Sequence, residues 1–189
     1  MRNNYYENFV SVILENSESK DWDEAKTEWD ITNVYEDESL SESCICGKEN
    51  LRYVYTITNR ISGKSLYPIG SHCITHFENP DLNERIETDK QLFKLAHAIN
   101  VHEEIDFSSK YFSKKLLKFL YDNEAFMANK YNHYNPKKDY DFLLKMFNMK
   151  NEGSTKQRDK IKAIYLNSIV PFVKEYVKIK KTNDNNCRS

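Results

Sequence analysis

Glycine and proline are scarce, at four each in 189 residues. That leaves little chemistry for tight turns and irregular loops, and makes helix the expected majority. No stretch approaches the ~18 consecutive apolar residues that a membrane-spanning helix needs. The opening MRNNYYENFVSVILEN lacks both the apolar core and the small-residue cleavage site of a secretory signal. A soluble, cytoplasmic protein with no membrane partner is therefore the expectation. Enzyme signatures are missing too: there is no Gly-x-x-x-x-Gly-Lys phosphate loop, no Gly-x-Ser-x-Gly, no His-Glu-x-x-His and no carboxylate pair at a recognisable catalytic spacing. His133, within Tyr131-Asn132-His133-Tyr134-Asn135, lacks the further metal ligands that a nuclease histidine needs. A protein that is not an enzyme and has no small-molecule substrate is expected.

What is present in quantity is charge and aromatic surface. Hydrophobic residues make up 39% and charged residues 30%, with 13 Tyr and 10 Phe, enough to build a core. The formal net charge of −1 conceals an asymmetry: residues 1–106 carry 10 Lys/Arg against 21 Asp/Glu, whereas residues 107–189 carry 18 against 8. The two parts either face different partners, attract one another, or are simply solvated surfaces of opposite sign.

The apolar spacing predicts helices over 4–16, 88–101, 108–126 and 139–149, and a last long one from Ser154 or Thr155 that Pro171 kinks. Trp22, Ala25 and Trp29, three and four apart, predict a helix over 21–30 with both indoles on one face. Residues 34–43 read as a polar connector, 129–138 as an exposed loop and 180–189 as a frayed tail. Leu51–Thr58, rich in β-branched and aromatic residues, and residues 65–69 form a hairpin about a turn containing Gly63. Ser71 is a candidate N-cap for a short helix that Pro80 ends.

The cysteines carry the sharpest chemistry. Cys44 and Cys46, followed by Gly47, are separated from Cys73 by the 26 residues between Cys46 and Cys73, and His76 comes three after Cys73. A tight ligand pair at each end of a hairpin delivers the four borderline ligands that zinc takes tetrahedrally, and leaves no open position for a catalytic water. Gly47 suits a knuckle in which backbone amides turn toward thiolates, and Gly70 is a candidate for the same part. A structural zinc ion held by Cys44, Cys46, Cys73 and His76 is expected, with His72 the alternative fourth ligand. The one-residue gap between Cys44 and Cys46 departs from the commoner two-residue knuckle. The competing reading is three ordinary thiols.

The pattern Trp22…Glu28-Trp29…Cys44-x-Cys46-Gly47…Asn59-x-x-x-Gly63…Ile69-Gly70-Ser71-x-Cys73-Ile74-x-x-Phe77 resembles a zinc-ribbon-like module of small, mostly uncharacterised bacteriophage and mobile-element proteins. It covers residues 20–78. Gly153-Ser-Thr-Lys-Gln157 is similar to a helix start near the ends of such proteins, with Gly where Leu is usual. The resemblance implies metal binding and a phage or mobile-element origin (hence the host cytoplasm); such proteins are often taken to associate with nucleic acid, and the resemblance implies no defined activity.

The expected architecture is α+β: mainly helical, with a small zinc-braced β-hairpin. Its parts are an acidic N-terminal helical segment over 1–43, the hairpin module over 44–78, a basic helical domain over 79–182 and a flexible tail over 183–189. Lys114, Lys115, Lys118, Lys137, Lys138, Lys156, Arg158 and Lys160 are the candidate nucleic-acid contacts, with tyrosines interleaved to stack on unpaired bases. The basic part has only Arg158 and Arg188 as guanidinium forks, so non-specific or structure-dependent binding, or engagement of a nucleic-acid-processing complex, is expected over base reading. The alternative is an anti-CRISPR-like inhibitor of a host defence or transcription protein, docking through Trp22 and Trp29.

Overall fold

The computed structural model describes residues 4–149 and 153–177; the expected tail lies outside them. The chain divides between Glu87 and Thr88 into two compact units. The architecture is α+β and mainly helical, with one antiparallel sheet of three strands. Among the described residues no helix is long and apolar enough to cross a membrane.

The first unit opens with helix α1 (Tyr5–Asn16), whose N-cap Asn4 accepts the Glu7 N–H and whose Phe9 and Ile13 are buried. A single turn, α2 (Trp22–Ala25), is capped by the Asp21 carboxylate, which accepts the N–H groups of Asp23 and Glu24. A 3-10 turn over Lys26–Glu28 follows. The chain then extends as β1 (Trp29–Glu36), where sequence spacing predicted helix and connector. Ile31, Thr32 and Val34 favour the extended backbone, and Ile31 and Val34 pair with Ile57 and Tyr55 of the next strand. Packing across the sheet overrides the three-and-four spacing of two tryptophans.

Strands β2 (Tyr53–Asn59) and β3 (Ser65–Gly70) form the expected hairpin, and β2 is the central strand. At its turn the Asn59 side chain accepts the N–H groups of Ile61 and Ser62, and Gly63 takes φ +73°. Val54 and Tyr55 point to opposite faces of the sheet and are both fully buried. Because β1 comes from the acidic segment, that segment and the cysteine hairpin share one sheet and one unit.

Helix α3 (Ser71–Thr75) has Gly70, not Ser71, at its N-cap and makes no side-chain cap bond. Pro80 ends nothing: it is the first residue of helix α4 (Pro80–Asn100), where its missing N–H has no intrahelical partner to lose.

The second unit contains α4 from Thr88 onward, α5 (Lys114–Asp122), α6 (Lys137–Asn148) and α7 (Thr155–Ile164). Leu92, Leu95, Phe112, Leu116, Leu117 and Leu120 are among its buried core residues, with Leu143 from α6 and Ile164 from α7. Helix α5 is shorter than its apolar spacing predicts because Ser113 caps it, accepting the Leu116 N–H at 3.0 Å. Ser154 and Gln157 form a reciprocal capping box at the start of α7. Ahead of Pro171 the helix widens over Tyr165–Ile169, where the Val170 N–H reaches back five residues to the Tyr165 carbonyl. A widened turn accommodates a residue that has no N–H and whose ring crowds the preceding turn.

Candidate metal centre

The Cys44–Gly47 turn is built by backbone bonds. Cys44 N–H donates to the Lys48 carbonyl at 2.8 Å, Gly47 N–H to the Cys44 carbonyl at 2.7 Å, and Ile45 N–H to the Pro68 carbonyl at 3.0 Å. Gly47 sits at φ +93°, which side chains rarely adopt, so the knuckle needs glycine there. Gly70 has an ordinary φ of −80° and serves by close approach, because an added Cβ would lie 3.0 Å from Leu51 Cδ2.

These turns bring three buried sulfurs together. Cys44 Sγ lies 3.5 Å from Cys73 Sγ, and Cys73 Sγ lies 3.4 Å from Cys46 Sγ. The three ligand atoms all fall within 4.8 Å of one another. Backbone amides face them: Gly70 N–H donates to Cys44 Sγ at 3.3 Å, the Cys46 N–H points to the same sulfur, and the Lys48 N–H to that of Cys46. The Cys73 thiol, with these amides, pulls the Cys44 pKa down to about 6 against its burial. Burial pushes the Cys46 thiol up, and hydrogen bonding to Cys44 together with burial pushes Cys73 far up. Without a cation the cluster accommodates one thiolate; a bound metal ion would let all three ionise.

Among the described residues no fourth cysteine, histidine, aspartate or glutamate joins that cluster. His76 ends α3 one turn beyond Cys73, with its ring centroid 4.8 Å from Tyr6, 5.0 Å from His72 and 6.2 Å from Phe9. Burial lowers the His76 pKa, with a smaller push from His72, which keeps the imidazole in its neutral, ligating form. His72 itself is exposed.

The two tryptophans separate. Trp29 is 1% exposed, with its indole N–H donating to Ser17 Oγ at 2.9 Å, so it belongs to the core and cannot anchor a partner. Trp22 is half-buried against the rings of Tyr6, Phe9 and Phe77.

The eight basic candidates all lie in the second unit, on α5, α6 and α7. Lys118 pairs with Asp122 and Lys137 with Asp141, both at 2.7 Å, and Lys160 with Asp139 at 3.5 Å. Arg158 donates to the Gly153 carbonyl at 2.9 Å. Lys114, Lys115, Lys138 and Lys156 are exposed.

Amides turned toward the thiolates are what Gly47 and Gly70 suggest in the sequence; that the donors are Gly70, Cys46 and Lys48 depends on where β3 ends. Sequence spacing did not disclose the buried carboxylate of Glu28, which accepts the N–H groups of Glu18 and Ser19 at 3.0 and 2.9 Å and the Asn59 amide at 2.5 Å. Comparison with family models, curated proteins and solved structures gives no match.

Proposed function

We propose that this chain is a phage-type accessory protein in which a structural zinc ion braces the first unit while the basic second unit engages nucleic acid or a nucleic-acid-bound complex. The observation that carries the metal reading is the cluster of three buried sulfurs with backbone amides aimed at two of them. Zn–S bonds of ~2.3 Å at tetrahedral angles set sulfurs ~3.8 Å apart. The separations of 3.5 and 3.4 Å are a few tenths of an ångström shorter, a gap that small side-chain rotations open. In this reading His76, one turn beyond Cys73, is the fourth ligand, with His72 the alternative, and a completed set leaves no position for a reacting water.

Charge supports the second half of the reading. Residues 88–179 hold 17 Lys/Arg against 11 Asp/Glu. Helices α5 and α6 both begin with a lysine pair, Lys114-Lys115 and Lys137-Lys138. In α5, whose first turn has no acidic residue, cations meet the positive end of the helix dipole, an arrangement that costs stability and that a bound phosphate relieves, whereas α6 carries Asp139 in its first turn and pairs Lys137 with Asp141. The phage origin rests on the resemblance of residues 20–78. The inhibitor alternative retains Trp22 as its partly accessible indole.

The test is metal analysis and oligonucleotide binding on one sample purified from zinc-supplemented cells. One equivalent of zinc, lost in Cys44→Ser or Cys73→Ser, together with binding that weakens steeply with salt, is the expected outcome. Zinc retained in both variants overturns the metal assignment, and zinc without oligonucleotide binding transfers the function to the protein-contact alternative.

A further inference from the structure

Between α5 and α6 the chain displays large side chains that it does not pack. Met127 is 67% exposed, Tyr131 78% and Tyr134 74%, within one eight-residue stretch. Single exposed apolar groups are ordinary, but three together on one loop mark a contact surface.

The loop is nonetheless built rigidly. Asn132, fully buried, donates to Asp139 Oδ2 and to the Met127 carbonyl, each at 2.8 Å, and accepts the Asn129 N–H at 2.9 Å. The Asn129 side chain accepts the N–H groups of Tyr131 and Asn132, and the Asn129 carbonyl accepts the Tyr134 N–H at 2.8 Å. His133 and Tyr134 both adopt left-handed backbone, at φ 56° and 58°, a conformation that costs free energy for residues with a side chain. The buried polar side chain thus holds a strained turn whose visible result is two tyrosines facing water.

Along the loop itself the charge has one sign, and the nearby carboxylates of Asp139 and Asp141 are engaged by Asn132, Lys160 and Lys137. Residues 125–138 contain Lys130, His133, Lys137 and Lys138 and no aspartate or glutamate. Lys130 Nζ stands 5.0 Å from the Tyr131 ring centroid, so that ring already carries a cation beside it. Lys137 is held by Asp141, which leaves Lys130 and Lys138 as the exposed lysines best placed to meet an anion.

We propose that this loop is a stacking platform for single-stranded nucleic acid, with Tyr131 and Tyr134 receiving unpaired bases and Lys130 and Lys138 meeting the phosphates between them. This names the ligand class for the nucleic-acid reading given above and rests on it. Stacking needs a free base face, which a duplex does not offer, and a ring held in place before binding loses little freedom on contact. With lysines rather than arginine forks beside the rings, the platform takes any base.

The experiment is fluorescence anisotropy with a labelled oligothymidylate of about 12 nucleotides and a duplex of the same length, titrated across salt. The wild-type chain is expected to prefer the single strand. Alanine at Tyr131 or Tyr134 should weaken single-strand binding by roughly 5- to 100-fold while leaving the salt slope unchanged. Tyr131→Phe and Tyr134→Phe retain the face and should bind as wild type, and circular dichroism of each variant reports the intact fold. Salt-sensitive binding that both alanine variants keep, but that Lys114→Ala with Lys115→Ala loses, overturns the platform and leaves the broader reading standing. Equal affinity for single strand and duplex also overturns the platform, and no binding to either overturns both.

Discussion

Gly70 gives its backbone N–H to Cys44 Sγ at 3.3 Å, and a Cβ on Gly70 would lie 3.0 Å from Leu51 Cδ2, close enough that the leucine would have to shift by a few tenths of an ångström. One residue therefore joins the end of β3 to the first cysteine and stands tight against a buried leucine.

Gly70→Ala is expected to cost about 1–3 kcal/mol through overpacking against a buried leucine. Leu51→Val should recover part of that loss if steric contact is the cause. Denaturant midpoints of the two single variants and the double variant give the coupling between the positions.

Chelation should act on one unit. Removing metal is expected to loosen the segment from Cys44 to Phe77, seen as faster amide exchange, while the helical second unit, which has its own core, keeps its protection. Uniform loss of protection across both units would contradict a metal role confined to the first.

Asp37 organises the loop that leads to the cysteines. It accepts the N–H groups of Ser39, Ser41 and Glu42 together with two serine hydroxyls, and these bonds outweigh burial to hold its pKa at about 2, below the ordinary 3.8. A carboxylate whose folded pKa is depressed contributes stability above the unfolded value and gives it up as pH falls to the folded one. Glu28 is lowered in the same direction by the amides of Ser19, Asn59 and Glu18, against burial. The stability these two groups give the first unit should therefore be fully present above pH 4.5 and fall toward pH 2, with Asp37→Asn shrinking that dependence. Asp37→Asn also turns an NH2 group toward N–H donors and should cost about 1–3 kcal/mol at neutral pH.

Tryptophan fluorescence separates the two indoles. Trp29→Phe should remove the blue-shifted, quencher-protected emission and cost about 1 kcal/mol or more, since Ser17 loses its donor in a buried site. Trp22→Phe should remove the more accessible component. If Trp29→Phe removes the quencher-accessible signal instead, the burial of Trp29 is wrong.

In the second unit, Leu117→Ala truncates a fully buried side chain and should cost about 2–5 kcal/mol. Calorimetry should show the loss in the unfolding of the helical unit.

The periodicity of the second unit was legible because helical faces repeat locally: Leu116, Leu117 and Leu120 announce their core side without reference to distant partners. The hairpin was legible for a similar reason, as the asparagine and glycine of its turn lie next to the strands they join. β1 was not, because Trp29–Glu36 becomes a strand by pairing with Tyr53–Asn59, a partner that local spacing does not name. The helix expected over 21–30 failed at this point.

The sequence by itself determined the helical character of the second unit, the hairpin, and the identity of the thiols that meet, since local apolar period, turn residues and paired cysteines act over a few positions. Only the tertiary structure decided that β1 is a strand, that Trp29 is core, which backbone amides face the sulfurs, and that the described residues bring three ligands rather than four within reach. Each of these depends on groups far apart in the chain, brought together by packing of the whole unit.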